Sequence, residues 1–170
     1  MTAFTLIHVV ISLVGIGSGF VVIAGFLKAK RLDGWTALFL TTTVLTSVTG
    51  FLFPFHKLMP SHVVGTLSLL ILALAILGRY RFNLNGAWRR IYVISAVIAQ
   101  WFNVFVLVAQ LFAKVPALKA IAPTQSEPPF AITQAVVLGL FIWLGILAIK
   151  RFQVKTIPPA TLSSSTSATR

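Results

Sequence analysis

The chain contains no cysteine. That absence excludes disulfides, thiolate metal sites, thiol redox chemistry and a cysteine nucleophile. Acid is nearly as scarce: Asp33 and Glu127 are the only carboxylate side chains, against 14 lysines and arginines. No paired carboxylates are present for general acid–base hydrolysis. Neither acid lies within an apolar run, where a proton relay across a membrane would place one. The three histidines show no i,i+4 pair and no HExxH-like spacing. A phosphate-cradling loop is missing too, because the glycine-rich GIGSG (15–19) lies inside an apolar run with no strand before it. Charged residues of all kinds make up 9% of the chain, where a soluble domain carries about a quarter.

What the sequence does have is hydrocarbon. Hydrophobic residues make up 58% of its 170 positions and the mean hydropathy is +0.97. Apolar runs of about 20 residues, the length that crosses a bilayer as a helix, recur along it. Five are read: Ala3–Leu27, Trp35–Phe53 stopping at Pro54, a third from Pro60 to near Gly78 with Ser61 as its cap, Arg90–Ala113, and Phe130–Ile149. The first has no basic flank and is too long for a signal-peptide core, so it is expected to be retained. Residues 1–152 are expected to form one five-helix transmembrane domain. The tail 153–170 is rich in Ser, Thr and Pro and is expected to be a disordered cytoplasmic extension.

The net charge of +12 does not point to nucleic acid, because the basic residues sit in short segments between apolar runs. Lys28, Lys30 and Arg31, then Arg79, Arg81, Arg89 and Arg90, then Lys150, Arg151, Lys155 and Arg170 fall on one side of the predicted topology. Only Lys57, Lys114 and Lys119 fall on the other. The excess of positive charge marks the cytoplasmic side. The expected fold is therefore an all-α bundle of five spans, with its N-terminus outside and its C-terminus inside.

This topology collects the histidines at the outer face. FLFPFHKLMPSHVVG (51–65) carries His56 and His62 around a turn between two prolines, and His8 lies about 7 Å below the outer end of the first span. His8 and His62 are the candidate ligands of a single haem b or a divalent metal, with His56 and Glu127 as further metal ligands. The bland alternative is an interhelical hydrogen bond for His8 and wet interfacial positions for the other two. In the fourth span Tyr92, Ala96, Asn103 and Gln110 share a stripe, with Gln100 nearby. Two amides and a phenol are costly against lipid, so that face is expected to point inward. Asn103, Gln110, Thr133 and Gln134 are the candidate lining of an outward-facing polar pocket. Equally, such amides simply tie helices together. The four arginines of 79–90 are explained by topology, and Asp33 by the turn chemistry of an Asp-Gly pair.

The stretches GWTALFLTTTVLTSVTGFLFPFHKLMPSH and APTQSEPPF, with the short loops, resemble small multi-pass proteins of the bacterial inner membrane. The resemblance covers most of 1–152 and implies that membrane without implying an activity. Membrane b-type cytochromes are a poorer match, because three histidines cannot serve two haems. The leading expectation is a non-catalytic accessory or structural subunit of the plasma membrane, contacting lipid, a partner membrane protein or further copies of itself. A redox or metal-binding module and a small-solute carrier are the alternatives.

Overall fold

The computed structural model describes residues 3–52 and 60–152, with only the backbone of 60–62. Among them every regular element is helical: α1 (Ala3–Leu27), α2 (Asp33–Gly50), α3 (Pro60–Ile76), a π-helical turn (Leu77–Arg81), α4 (Ala87–Lys114), α5 (Pro116–Ile121) and α6 (Pro128–Arg151). Helices suit a chain this apolar because they satisfy their own backbone where no water can. The segment 114–130 is more than a loop. Pro116 at the first helical position, where its missing N–H costs nothing, starts the short α5.

Four helical segments are long and apolar enough to cross a membrane: Ala3–Leu27, Val63–Arg81, Ala87–Lys114 and Pro128–Arg151. The fifth run of the sequence reading, α2, is a full helix of 18 residues that falls short of the same hydropathy. Its threonines, Ser47 and Asp33 lower its average. Half of the threonines are buried or close to it, whereas Asp33 and Thr41 are exposed. Thr36, Thr42 and Thr43 are buried, together with Phe39 and Leu40.

Contacts set the helix directions. His8, near the start of α1, meets Thr49, near the end of α2. Phe26, near the end of α1, packs edge-on against Tyr92 near the start of α4, with ring centroids 5.5 Å apart, and against Phe152 just beyond α6 at 5.0 Å. Phe112 near the end of α4 meets Phe130 near the start of α6. Successive long helices therefore run antiparallel. One end of the bundle gathers the described residues Lys28, Lys30, Arg31, Arg79, Arg81, Arg89, Arg90, Lys150 and Arg151, and is called the basic end below. The opposite end carries His8.

The interior is where α1, α2 and α4 meet. α1 buries Gly15, Ser18, Gly19, Val22 and Phe26, the three-and-four spacing of one helix face. Gly19 is the tightest point. A Cβ on it would lie 2.0 Å from Gln100 Oε1 and 2.9 Å from Phe39 Cε2, so glycine is what lets α2 and α4 reach the α1 backbone together. The outside is apolar. α6 buries only Phe141 and Ala148 and exposes Ile132, Val136, Leu140, Ile142 and Trp143. An exposed apolar surface of this extent is out of place in water and suits contact with lipid.

Gly19→Ala is expected to lower unfolding stability in detergent by about 1–3 kcal/mol, the cost of overpacking a filled interface. Gly17→Ala on the same helix serves as the reference, since a Cβ there meets nothing within 4 Å. Thermal melts in one detergent compare them, and equal melting temperatures would mean that Gly19 is not a contact point.

Candidate functional site

The polar side chains of the bundle form three groups. The first is at the histidine end. The Thr49 hydroxyl donates to the Leu45 carbonyl at 2.7 Å, one turn back in its own helix. Its oxygen is left to accept from His8 Nδ1 at 2.8 Å, so this contact selects the tautomer protonated at Nδ1. One turn deeper, Ser12 donates to the His8 carbonyl at 2.7 Å and lies 3.4 Å from Thr46 Oγ1. Thr46 and Thr49 of α2 thus lie on the seam with α1.

The second group lies near the middle. Gln100 is fully buried and donates from Nε2 to the Ile16 carbonyl of α1 at 2.8 Å. Its Oε1 has no hydrogen-bond partner among the described residues and faces the bare Cα of Gly19. Asn103 donates to Thr43 Oγ1 of α2 at 3.1 Å. On the far side of α4, Gln134 of α6 donates to the Phe105 carbonyl at 3.1 Å. Each amide joins two helices.

The third group, at the basic end, was the hardest to foresee. Arg79 is 1% exposed. Its guanidinium donates from NH2 to Asp33 Oδ1 at the start of α2 and from NH1 to the Tyr92 hydroxyl at 3.3 Å, and lies 5.4 Å from the centre of the Tyr92 ring. The Tyr92 hydroxyl donates in turn to Thr36 Oγ1 at 3.4 Å. Asp33 also accepts from Arg31 Nε at 3.1 Å. The arrangement follows from the local chain. Gly78 lets the end of α3 approach α4, since a Cβ there would lie 3.2 Å from both the Trp88 carbonyl and Tyr92 Cβ. A cation thus ends one helix while an anion begins a neighbouring one, so each complements the partial charge of its helix terminus. Arginine cannot shed its proton, so a buried guanidinium must be held by acceptors. One signal was available in the sequence: Asp33 is the single acid among the bases of its side.

The sequence candidates are placed as follows. His56 lies outside the described residues, and so does the side chain of His62, whose backbone belongs to α3. Among the described residues no three His, Asp or Glu side chains gather as a metal would require. Glu127 starts α6 and accepts from the Thr124 hydroxyl at 2.8 Å and from the backbone N–H groups of Thr124 and Ser126, both at 3.1 Å. Slight desolvation pushes its carboxyl up, but these hydrogen bonds outweigh it and hold the group below the usual glutamate range. Thr133 donates to the Pro129 carbonyl of its own helix at 2.7 Å. Gln110 is exposed. The segment 114–130 is stitched down by Gln125, which donates to the Ala109 carbonyl at 2.8 Å.

None of Asn103, Gln110, Thr133 and Gln134 lines either of the two described clefts. Both clefts are apolar: one lies between α4 and α6, the other between α2 and the end of α3. A haem or metal at His8 would bind through Nε2, with Thr49 orienting the ring from the other side. Neither cleft adjoins His8. Comparison of the chain with protein-family models, curated proteins and solved structures finds no match.

Asp33→Asn removes the charge that faces the Arg79 guanidinium. The expected loss is about 1–3 kcal/mol, less than for a wholly buried pair because Asp33 itself is largely in solvent. Adding Arg79→Met, which keeps the stem and deletes the charge, should recover most of it. Chemical unfolding of both variants in detergent tests the coupling, and purely additive losses would show that the pair does not hold this end.

Proposed function

We infer that the chain is a small integral subunit of a bacterial plasma membrane, with a structural or accessory role and no catalytic centre of its own. It crosses the bilayer five times, with the N-terminus outside and the basic end in the cytoplasm. α2 is the least apolar span and is tolerated because Thr36, Thr42 and Thr43 are buried within the bundle. The asymmetry of charge between the two ends supports the orientation.

One observation carries the functional reading. The polar side chains that would have to do chemistry are engaged in holding helices together. Ser12, Ser18, Thr42 and Thr49 each donate to a carbonyl one turn back in their own helix. Gln100, Asn103 and Gln134 each bridge two helices. Hydroxyl protons committed to the backbone are poorly placed to pass a proton along the α2 stripe. This also weighs against a carrier, since Asn103 is bonded to Thr43 and Gln110 lies outside the bundle interior.

The redox or metal-binding reading keeps one supporting feature. His8 presents the orientation of a ligating imidazole, with Nδ1 donating and Nε2 as the acceptor. A haem b or divalent ion would take His8 with His62. An absorption spectrum and metal analysis of the purified protein, beside a His8→Ala/His62→Ala double variant, separates the two readings. A colourless, metal-free protein is expected. A Soret band or stoichiometric metal that is lost in the double variant would establish the cofactor site instead.

The topology has its own test, which the absence of native cysteine makes simple. In intact cells a membrane-impermeant maleimide is expected to label Ser126→Cys, and to reach Lys30→Cys or Asn85→Cys only after permeabilisation. The reverse pattern would invert the proposed orientation, and labelling of Lys30→Cys with Asn85→Cys protected would remove a span.

A further inference from the structure

The seam between α4 and α6 is open over half of its length. Toward the basic end it forms a groove of about 230 Å³, walled by Ile94, Ile98 and Trp101 of α4 and by Ile142 and Ile149 of α6. Gly145 leaves it open, because the Cα faces Val97 and even a Cβ would already reach Val97 Cγ1 at 3.5 Å. Toward the histidine end the same seam is shut by the Gln134–Phe105 hydrogen bond and by the edge-to-face pair Phe112 and Phe130.

Two arginines stand at the open end and behave differently. Arg89 donates to the Phe152 carbonyl and ties the start of α4 to the end of α6. Arg90 lies one turn before Ile94, on the stripe that continues through Ile98 and Trp101. It is exposed and has no hydrogen bond or ion pair with any described residue. From Arg90 to Trp101 the helix rises roughly 16 Å, close to half of a hydrocarbon core about 30 Å thick. The groove is thus one leaflet deep, apolar along its length and cationic at its mouth.

We propose that this groove seats one acyl chain of an anionic phospholipid whose phosphate rests on Arg90. The proposal rests on the reading that the chain spans a bilayer. A partner helix fits less well, since it would need a seam open through both leaflets and here one half is closed. A neutral lipid would fill the apolar wall while leaving the guanidinium without a counter-charge.

The test uses the full chain. It is first floated with phosphatidylcholine vesicles containing phosphatidylglycerol. It is then taken from micelles holding equal amounts of the two lipids, and retained lipid is counted by native mass spectrometry. The wild type is expected to keep one phosphatidylglycerol in preference to phosphatidylcholine. Arg90→Gln should reduce that preference about fivefold, the effect of one basic residue at a lipid surface. Arg81→Gln, exposed at the same end but outside the groove, should not change it, and Gly145→Leu should lower retention of both lipids by filling the groove. An unchanged preference in Arg90→Gln, or an equal drop in Arg81→Gln, overturns the site and leaves only a general attraction of charge. If the wild type fails to float, the membrane reading falls and this site with it. Flotation with a negative Arg90 result removes the site alone.

Discussion

A polar group inside hydrocarbon has no water to bond, and this constraint shapes nearly every contact in the bundle. The backbone answers it by coiling into helices. Serine and threonine answer it by donating back one turn, as Ser18 does to the Val14 carbonyl at 2.7 Å. The amides are too long for that and reach across, so Gln100 and Asn103 of α4 fasten α1 and α2. The same constraint explains where α2 sits. Its stripe of threonines would be costly against lipid chains, and it lies between α1 and α3 with Thr43 wholly buried.

The two ends of the bundle solve the problem with different chemistry. At the histidine end the ties are neutral, His8 to Thr49 and Ser12 to Thr46. At the basic end the interior holds a permanent charge. Arg79 cannot lower its cost by losing a proton, so α2, α3 and α4 are drawn together around it through Asp33, Tyr92 and Thr36. A neutral tie can loosen at the cost of a hydrogen bond, about 1 kcal/mol in net terms. Stripping an acceptor from a buried guanidinium costs more, which makes the basic end the more tightly specified of the two.

Several features were legible before any coordinates. Runs of about 20 apolar residues located the helices to within a few positions, because only uninterrupted hydrocarbon spans a membrane as a helix. The stripe of Tyr92, Ala96 and Asn103 in α4 was expected to point inward, and Tyr92 and Ala96 are buried. Other features were not legible. Mean hydropathy places α2 below the four helices long and apolar enough to cross a membrane, and an average hides which of its threonines are buried. Gln110 shares a helical stripe with Asn103 yet is exposed, and periodicity carries no information about which neighbours cover a face. Pro116 starts α5, a helix of six residues that is too short for an apolar run to reveal.

By itself the sequence determined the helical class, the approximate limits of the apolar segments and the separation of basic loops from the histidine-bearing turn. These follow from composition and local period, which need no partner. Only the tertiary structure decided which of the basic residues is buried. Arg79, Arg81, Arg89 and Arg90 look alike in a loop, yet one pairs with Asp33 inside the bundle, one caps the end of α6 and one stands open beside an apolar groove. Their fates differ because burial depends on what another helix brings to the same place, and Asp33 lies 46 residues away from the arginine it holds.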